Sequence, residues 1–285
     1  MNRILNLARA ILTTGRDPQS FIGARWLVLS LRVTPKPLRR KLALWILSLS
    51  PHYFHREAHS DYRNLSLNQF VEAEYRRNRS SRAMICDQLL LRYVKPDDEV
   101  LDFGCGPGFL ARAVAPHVRT VFASDISPGA LECARTINHA DNIRYIYSGE
   151  SGFEQIRDSS LDLIYSIAVI QHLRESVIEY LFSVASKKLR RGGLCLFQVQ
   201  LENDQLKKEN EWVQDKSPIG ILRLKYGLNF FPRGEEFFRK LAAQTGLALV
   251  AVHSLSDFLT SPFDDLYYQH LIILGKPSID SESVQ

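Results

Sequence analysis

At 285 residues, with 45% hydrophobic and 24% charged side chains, the chain suits one large globular domain, or a smaller domain with an elaborate extension. No run reaches the ~18–20 uncharged apolar residues that a spanning helix needs; the longest, LALWILSLSPHYFH, has 14 residues and contains a proline. The net charge of +5 is uneven: residues 1–56 carry ten Lys or Arg against Asp17 alone, so that +9 sits there and −4 on the remainder. Such a start suits a membrane surface, a nucleic acid or an acidic partner, or is simply a solvated basic extension.

Along the chain, residues 1 to about 80 read as helices. Ile4, Leu7, Ala8 and Ile11 share a helical face. FIGARWLVLSLRV stops before Pro35 and Pro37, and LRRKLALWILSLS before Pro51. Arg9 interrupts any secretory apolar core, while the Arg-rich, acid-poor start has the composition of an organellar transit peptide. A polar stretch containing Tyr75 and Arg76 leads to a further helix, SRAMICDQLLLRYV.

From residue 97 strands alternate with helices. EVLDFG is a buried strand and FLARAVAPHV a short helix. TVFASD is a second strand, and Ser127 caps its helix with Pro128 in the first turn. NIRYIYSGE and LDLIYSIAVI are the third and fourth strands, with a helix over ESVIEYLFSVASKKL. RRGG reads as a turn into the strand GLCLFQVQ. A last helix, GEEFFRKLAAQTG, is closed by Gly246 and followed by ALVAVHSL and LYYQHLIILG. This alternation argues for an α/β fold with a mostly parallel sheet covered on both faces.

VLDFGCGPG places Gly104, Gly106 and Gly108 between the first strand and its helix, with Asp125 about 20 residues on, where a ribose would present its diol. A dinucleotide turn is GxGxxG, but here position 109 is Phe. Asp102, two residues before the first glycine, disfavours a pyrophosphate and suits a cationic amine. The loop therefore fits an aminoacyl nucleoside better than a nicotinamide dinucleotide. Cys86, Cys105, Cys133 and Cys195 show neither CxxC nor metal-type spacing, so no metal is expected, and reduced thiols suit a cytoplasmic protein.

VLDFGCGPG, ASDIS, SGESG, LDLIYSIAVIQHL and RRGGLCLFQV, in that order, resemble the motifs of class I S-adenosylmethionine-dependent methyltransferases. The resemblance implies a Rossmann-like seven-stranded sheet with S-adenosyl-L-methionine as cofactor. It puts Gly104, Cys105, Gly106 and Gly108 along the methionine part and Asp102 at its amino group. Asp125 would hold the ribose, Ile126 would pack on the adenine, and Glu150 with Ser151 would face the adenine amine. Ser166 and Ile167 would line the methionine side, and His172 is the candidate general base. His52, His55, His59, His117, His253 and His270 have weaker claims.

SIAV in place of the (D/N)PP(Y/F) of amine-directed enzymes, and the lack of a Pro-Cys pair, argue against a DNA acceptor. The expected partner is a small-molecule methyl acceptor, amphiphilic or lipid-like, with peripheral membrane contact open to the basic N-terminus. The alternative is a non-catalytic cofactor-binding scaffold. The expected organisation is a basic extension over 1–80, a methyltransferase domain over 81–277 with a substrate lid at about 203–229, and a disordered tail over 278–285.

Overall fold

The computed structural model describes residues 22–49, 53–54, 62, 64–149, 152–202, 209–225, 229–260 and 269–278. The expected helix around Ile4 and the tail beyond 278 lie outside them. Seven strands form one sheet: β1 Glu99–Phe103, β2 Thr120–Asp125, β3 Ile143–Tyr147, β4 Leu161–Ser166, β5 Leu189–Val199, β6 Ala248–Ser254 and β7 His270–Gly275. Their order is β3-β2-β1-β4-β5-β7-β6. β1 to β5 run parallel, and β7 is antiparallel to both β5 and β6.

The described helices are α1 Ile22–Val33, α2 Lys36–Leu49, α3 Leu67–Gln88, α4 Phe109–Val114, α5 Pro128–Ile137, α6 Glu175–Lys188, α7 Glu209–Gln214, α8 Pro218–Lys225 and α9 Glu235–Gln244. Alternation along β1 sends Val100 to one face and Leu101 to the other. On the first face α3, α4 and α5 cover the sheet with Ile85, Leu110, Ala111 and Leu131. On the second, α6 and α9 do so with Leu181, Phe182, Phe238 and Leu241. The expected Rossmann-like, doubly covered sheet is therefore present.

Local chemistry sets the ends of these elements. Ser127 accepts the Ala130 amide at 3.2 Å, capping α5 with Pro128 in its first turn. At the end of α9, Gly246 adopts φ +73° and donates to the Ala243 carbonyl, while Leu247 N–H donates to that of Ala242. This is the paired closure that a left-handed glycine permits.

Two local expectations change. The segment read as a separate helix from Ser81 is the last part of α3, which runs unbroken from Leu67 behind a Ser66/Gln69 capping box. Its buried stripe is polar in the middle, which hid the helical period: Glu74, Asn78 and Ser81 are all buried. Arg77 pairs with both oxygens of Glu74, at 2.7 and 3.1 Å, and Asn78 and Ser81 bond back to the helix carbonyls of Glu74 and Asn78. RRGG, in turn, lies within β5. The register steps from Leu161↔Leu189 to Leu163↔Leu194, so residues 190–193 are a bulge with Gly192 at φ +74°.

Glu74 is fully buried, so Arg77→Met removes its paired cation and leaves it with the Tyr62 hydroxyl, which should cost about 3–5 kcal/mol in urea unfolding. Replacing both residues by Met should recover most of that loss. A single variant as stable as the parent would contradict the buried pair.

Candidate functional site

The site lies at the carboxyl edge of β1, β2 and β4, beside the point where the chain's strand order turns from β1 outward to β4. β1 ends at Phe103, and three glycines with φ of +78°, +53° and +77° follow at 104, 106 and 108. Gly104 and Cys105 N–H both donate to the Ser124 carbonyl at 2.8 Å, which folds the turn back onto β2. A Cβ at Gly104 would stand 2.5 Å from Val169, and at Gly108 2.5 Å from the Tyr145 hydroxyl. At Gly106 it would meet the ring of Tyr53, at 3.0 Å. These glycines thus serve close packing of the loop as well as its backbone path.

Asp125 ends β2 and ties the loop to α5. Its Oδ2 accepts Gly106 N–H and its Oδ1 accepts Ser127 N–H, both at 2.8 Å. Burial raises the Asp125 carboxyl above its usual range, and the amides of Ser127, Gly106 and Ile126 oppose that. These amides use part of a carboxylate's acceptor capacity of about four, which leaves room for a ligand hydroxyl. Ile126 beside it is exposed, as a residue offering an apolar face to a ligand has to be.

Asp102, on β1, is 2% exposed, and its Oδ2 has no hydrogen-bond partner. Burial, and after it the charge of Asp125, pushes its carboxyl up to about 8, while the charge of Arg82, the Ala111 amide and the Tyr165 hydroxyl act the other way. A buried carboxylate oxygen without a partner is costly unless a ligand completes it. A primary ammonium does so in charge, in donor number and in size. Cys105 is buried, and its thiol is raised well above the usual range by burial and then by Asp102, which makes it unreactive.

Ser166 is fully buried and its hydroxyl donates to the Phe103 carbonyl at 2.9 Å, bridging the ends of β4 and β1. Ile167 packs on the core, and β4 stops there because Ala168 takes φ +63°. His172 follows in a single helical turn, Ile170–His172. Its Nδ1 lies 3.0 Å from the Asn229 carbonyl, which can only accept, so the ring proton sits on Nδ1 and Nε2 is the acceptor nitrogen. Phe230 packs tilted against the imidazole, 4.6 Å between centroids. Glu150 and Ser151 lie outside the described residues, as do His52, His55 and His59.

Several expected residues stand apart from this edge. Tyr75 is held between Phe109 and Arg40, in contact with α4 and α2, and Arg76 is exposed. His117 is exposed and His253 pairs loosely with Asp257. His270 is half-buried in β7, with burial lowering its pKa. Sequence reasoning did not single out Tyr53, Gln171 and Asn229. The Asn229 carboxamide is buried with neither atom paired, and Gln171 Oε1 is likewise unpaired. Asparagine and glutamine in LNFFP and IQHL carry no periodicity or spacing that marks them.

A 3-2-1-4-5-7-6 sheet, an acid-bearing glycine turn after its first strand and an acid closing its second define the class I S-adenosylmethionine-dependent methyltransferase superfamily. A family model described as a methyltransferase domain matches residues 74–252, and the chain belongs to that family, whose cofactor is S-adenosylmethionine. It is 32% identical over 116 residues to the ribosomal protein L11 methyltransferase of Clostridium botulinum (strain Eklund 17B / Type B), across 39% of this chain and 34% of that protein. Against the malonyl-[acyl-carrier protein] O-methyltransferase of Serratia marcescens it is 26% identical over 121 residues, covering 42% of this chain and 45% of the relative. The chain thus spans less than half the length of these curated relatives. The geranyl diphosphate C-methyltransferase of Streptomyces coelicolor A3(2) superposes with a TM-score of 0.51 at 14% identity, over 90% of this chain and 98% of that one. That likeness is one of fold.

The raised Asp102 carboxyl has a consequence for stability. Unfolded, the group titrates at 3.8; folded, at about 8, so between them the folded state keeps a proton that the unfolded chain has released. Its contribution is therefore full below about pH 4 and is lost as pH rises toward 8. Without added cofactor, Asp102→Asn should gain on the parent in urea midpoint as pH rises from about 5 to 8. Parallel midpoints would contradict the buried, protonated acid.

Proposed function

We propose that the chain transfers the methyl group of S-adenosylmethionine to a small-molecule acceptor, using the carboxyl edge of β1, β2 and β4. The observation that carries this reading is the unpartnered, buried Oδ2 of Asp102 beside the glycine turn. Asp102 would receive the amino group of the methionine part, with Gly104 to Gly108 following it along the backbone. Asp125 would accept from the ribose hydroxyls while keeping its bonds to Gly106 and Ser127. Ile126 would pack against the adenine, with Glu150 and Ser151 beyond it. Ser166 and Ile167 would bound the methionine side. When bound, the cofactor supplies a sulfonium-activated methyl group with a good leaving group.

Because the leaving group is already activated, the protein's share is to hold the acceptor in line and strip water from its nucleophilic atom. A hydroxyl acceptor also has to lose a proton, and His172 is the residue in position to take it through Nε2. The Asn229 carbonyl supports that role by fixing the tautomer, and Phe230 supports it by shielding the ring. Exposed Ile219 and Ile221 on α8, with half-exposed Phe230, favour an amphiphilic acceptor under a lid at about 203–229. Relatives named for ribosomal protein L11, malonyl-[acyl-carrier protein] and ubiquinone biosynthesis differ in acceptor, so the family alone does not fix the substrate. Four buried, unbridged cysteines support a reducing, cytoplasmic setting.

Calorimetry with S-adenosylhomocysteine tests the site. Asp125→Ala should weaken binding by about 1–3 kcal/mol, the value of hydrogen bonds to a charged acceptor. His172→Gln should bind it as the parent does, yet lower by about 10²–10⁴-fold the transfer of isotope from labelled cofactor into a metabolite extract, read by mass spectrometry. Unchanged affinity in Asp125→Ala would sink the ribose assignment. Undiminished transfer in His172→Gln would remove the base.

A further inference from the structure

The described N-terminal helices are apolar on both sides. Leu31 of α1 and Ala43, Leu44, Ile46 and Leu47 of α2 are buried in a cluster with Phe70 of α3 and Cys133 of α5. The outward side carries Leu29 and Val33 on α1, 48% and 71% exposed, and Leu38, Trp45 and Leu49 on α2, 57%, 37% and 45% exposed. Positions 29 and 33 are one turn apart, and 38, 45 and 49 fall on one stripe of α2. Lys41 joins that stripe, its ammonium 5.0 Å from the centre of the Trp45 ring. Residues 22–49 contain no Asp or Glu. Arg32 pairs with Glu132 of α5 at 3.4 Å and Arg40 with Glu72 of α3 at 3.1 Å, while Lys36 and Lys41 are exposed beside the turn between the helices. Scattered exposed aliphatics are ordinary, but a run of them beside exposed lysines marks an interaction surface.

We propose that the α1–α2 turn docks on an anionic lipid bilayer. Val33 and Leu38 enter the boundary between headgroups and acyl chains, and Lys36 and Lys41 meet lipid phosphates. The chemistry selects this occupant. Nucleic acid phosphates would satisfy the cations but leave the protruding aliphatic side chains unused. A second copy would set Lys36 and Lys41 against the same lysines of its partner, which like-charge repulsion opposes. An anionic bilayer uses both features at once, as interfacial helices with basic residues and apolar prongs do. No described helix is long and apolar enough to cross the bilayer, so the contact is one of lying on the surface. The inference does not depend on the methyl-transfer reading. If both hold, the active site is carried to where an amphiphilic acceptor would reside.

Flotation of the full chain with vesicles of phosphatidylcholine, alone or with about 30% phosphatidylglycerol, at about 0.1 M salt tests it. Binding is expected to the anionic vesicles only, and should weaken as salt rises. The V33D/L38D and K36E/K41E variants should each bind at least about tenfold more weakly, with circular dichroism and Tm unchanged because all four side chains are exposed. No binding to anionic vesicles would overturn the proposal, as would full binding by V33D/L38D. A doubled mass in light scattering that V33D/L38D abolishes would also overturn it, in favour of a second copy.

Discussion

A carboxyl group buried at the end of β1, with its Oδ2 lacking a hydrogen-bond partner, is the constraint on which the rest of the site depends. Asp102 sits at the centre of the sheet, flanked by β2 and β4, where no water-filled surface can solvate it. The fold accommodates it by holding it protonated, its carboxyl raised to about 8. A core built for stability alone would place an apolar residue there, since an orphaned polar group costs stability that packing could supply. The position is better understood as prepared for a charge that arrives from outside.

Around that acid the turn is assembled from backbone. Left-handed glycines at 104, 106 and 108 let the chain reverse within a few residues, and the Ser124 carbonyl and Asp125 carboxylate hold the reversed segment from the neighbouring strand. Asp125 is thus structural and available at once: it fixes the loop and the start of α5 through the Gly106 and Ser127 amides. The far side of the site is shaped by the end of β4, where the positive φ of Ala168 stops the strand and sends the chain toward His172. The segment from Asn229 to Arg233 then closes over Gln171 and His172, with Phe231 N–H on the Gln171 carbonyl at 2.7 Å. Arg233 braces it through the carbonyls of Phe231 and Leu173.

Much of this was legible in the sequence because it depends on short-range chemistry. Ser127, Pro128 and Gly246 mark helix ends through their own side chains or lack of one, and each serves as expected. Asp102 and Asp125 could be assigned to strand ends because the apolar runs before them are continuous. What sequence reading lost depends on long-range partners. α3 looked like two pieces since Glu74, Asn78 and Ser81 occupy buried positions, and only the pairing with Arg77 and the helix backbone explains their burial. RRGG has the composition of a turn, yet it lies within β5 as a bulge between the Leu161↔Leu189 and Leu163↔Leu194 pairs. Gln171 and Asn229 become informative only once the fold brings them together beside His172, since their significance lies in the partners they lack.

The central claim is that Asp102 waits, protonated, for a cationic amine. Calorimetric titration with S-adenosylhomocysteine at pH 7, in two buffers of different ionisation enthalpy, tests it directly. An ammonium binding beside Asp102 must drive off its proton, so the parent should release close to one proton per ligand bound, and Asp102→Asn should release none and bind more weakly. Binding by the parent without proton release, together with unaltered affinity in Asp102→Asn, would contradict the account.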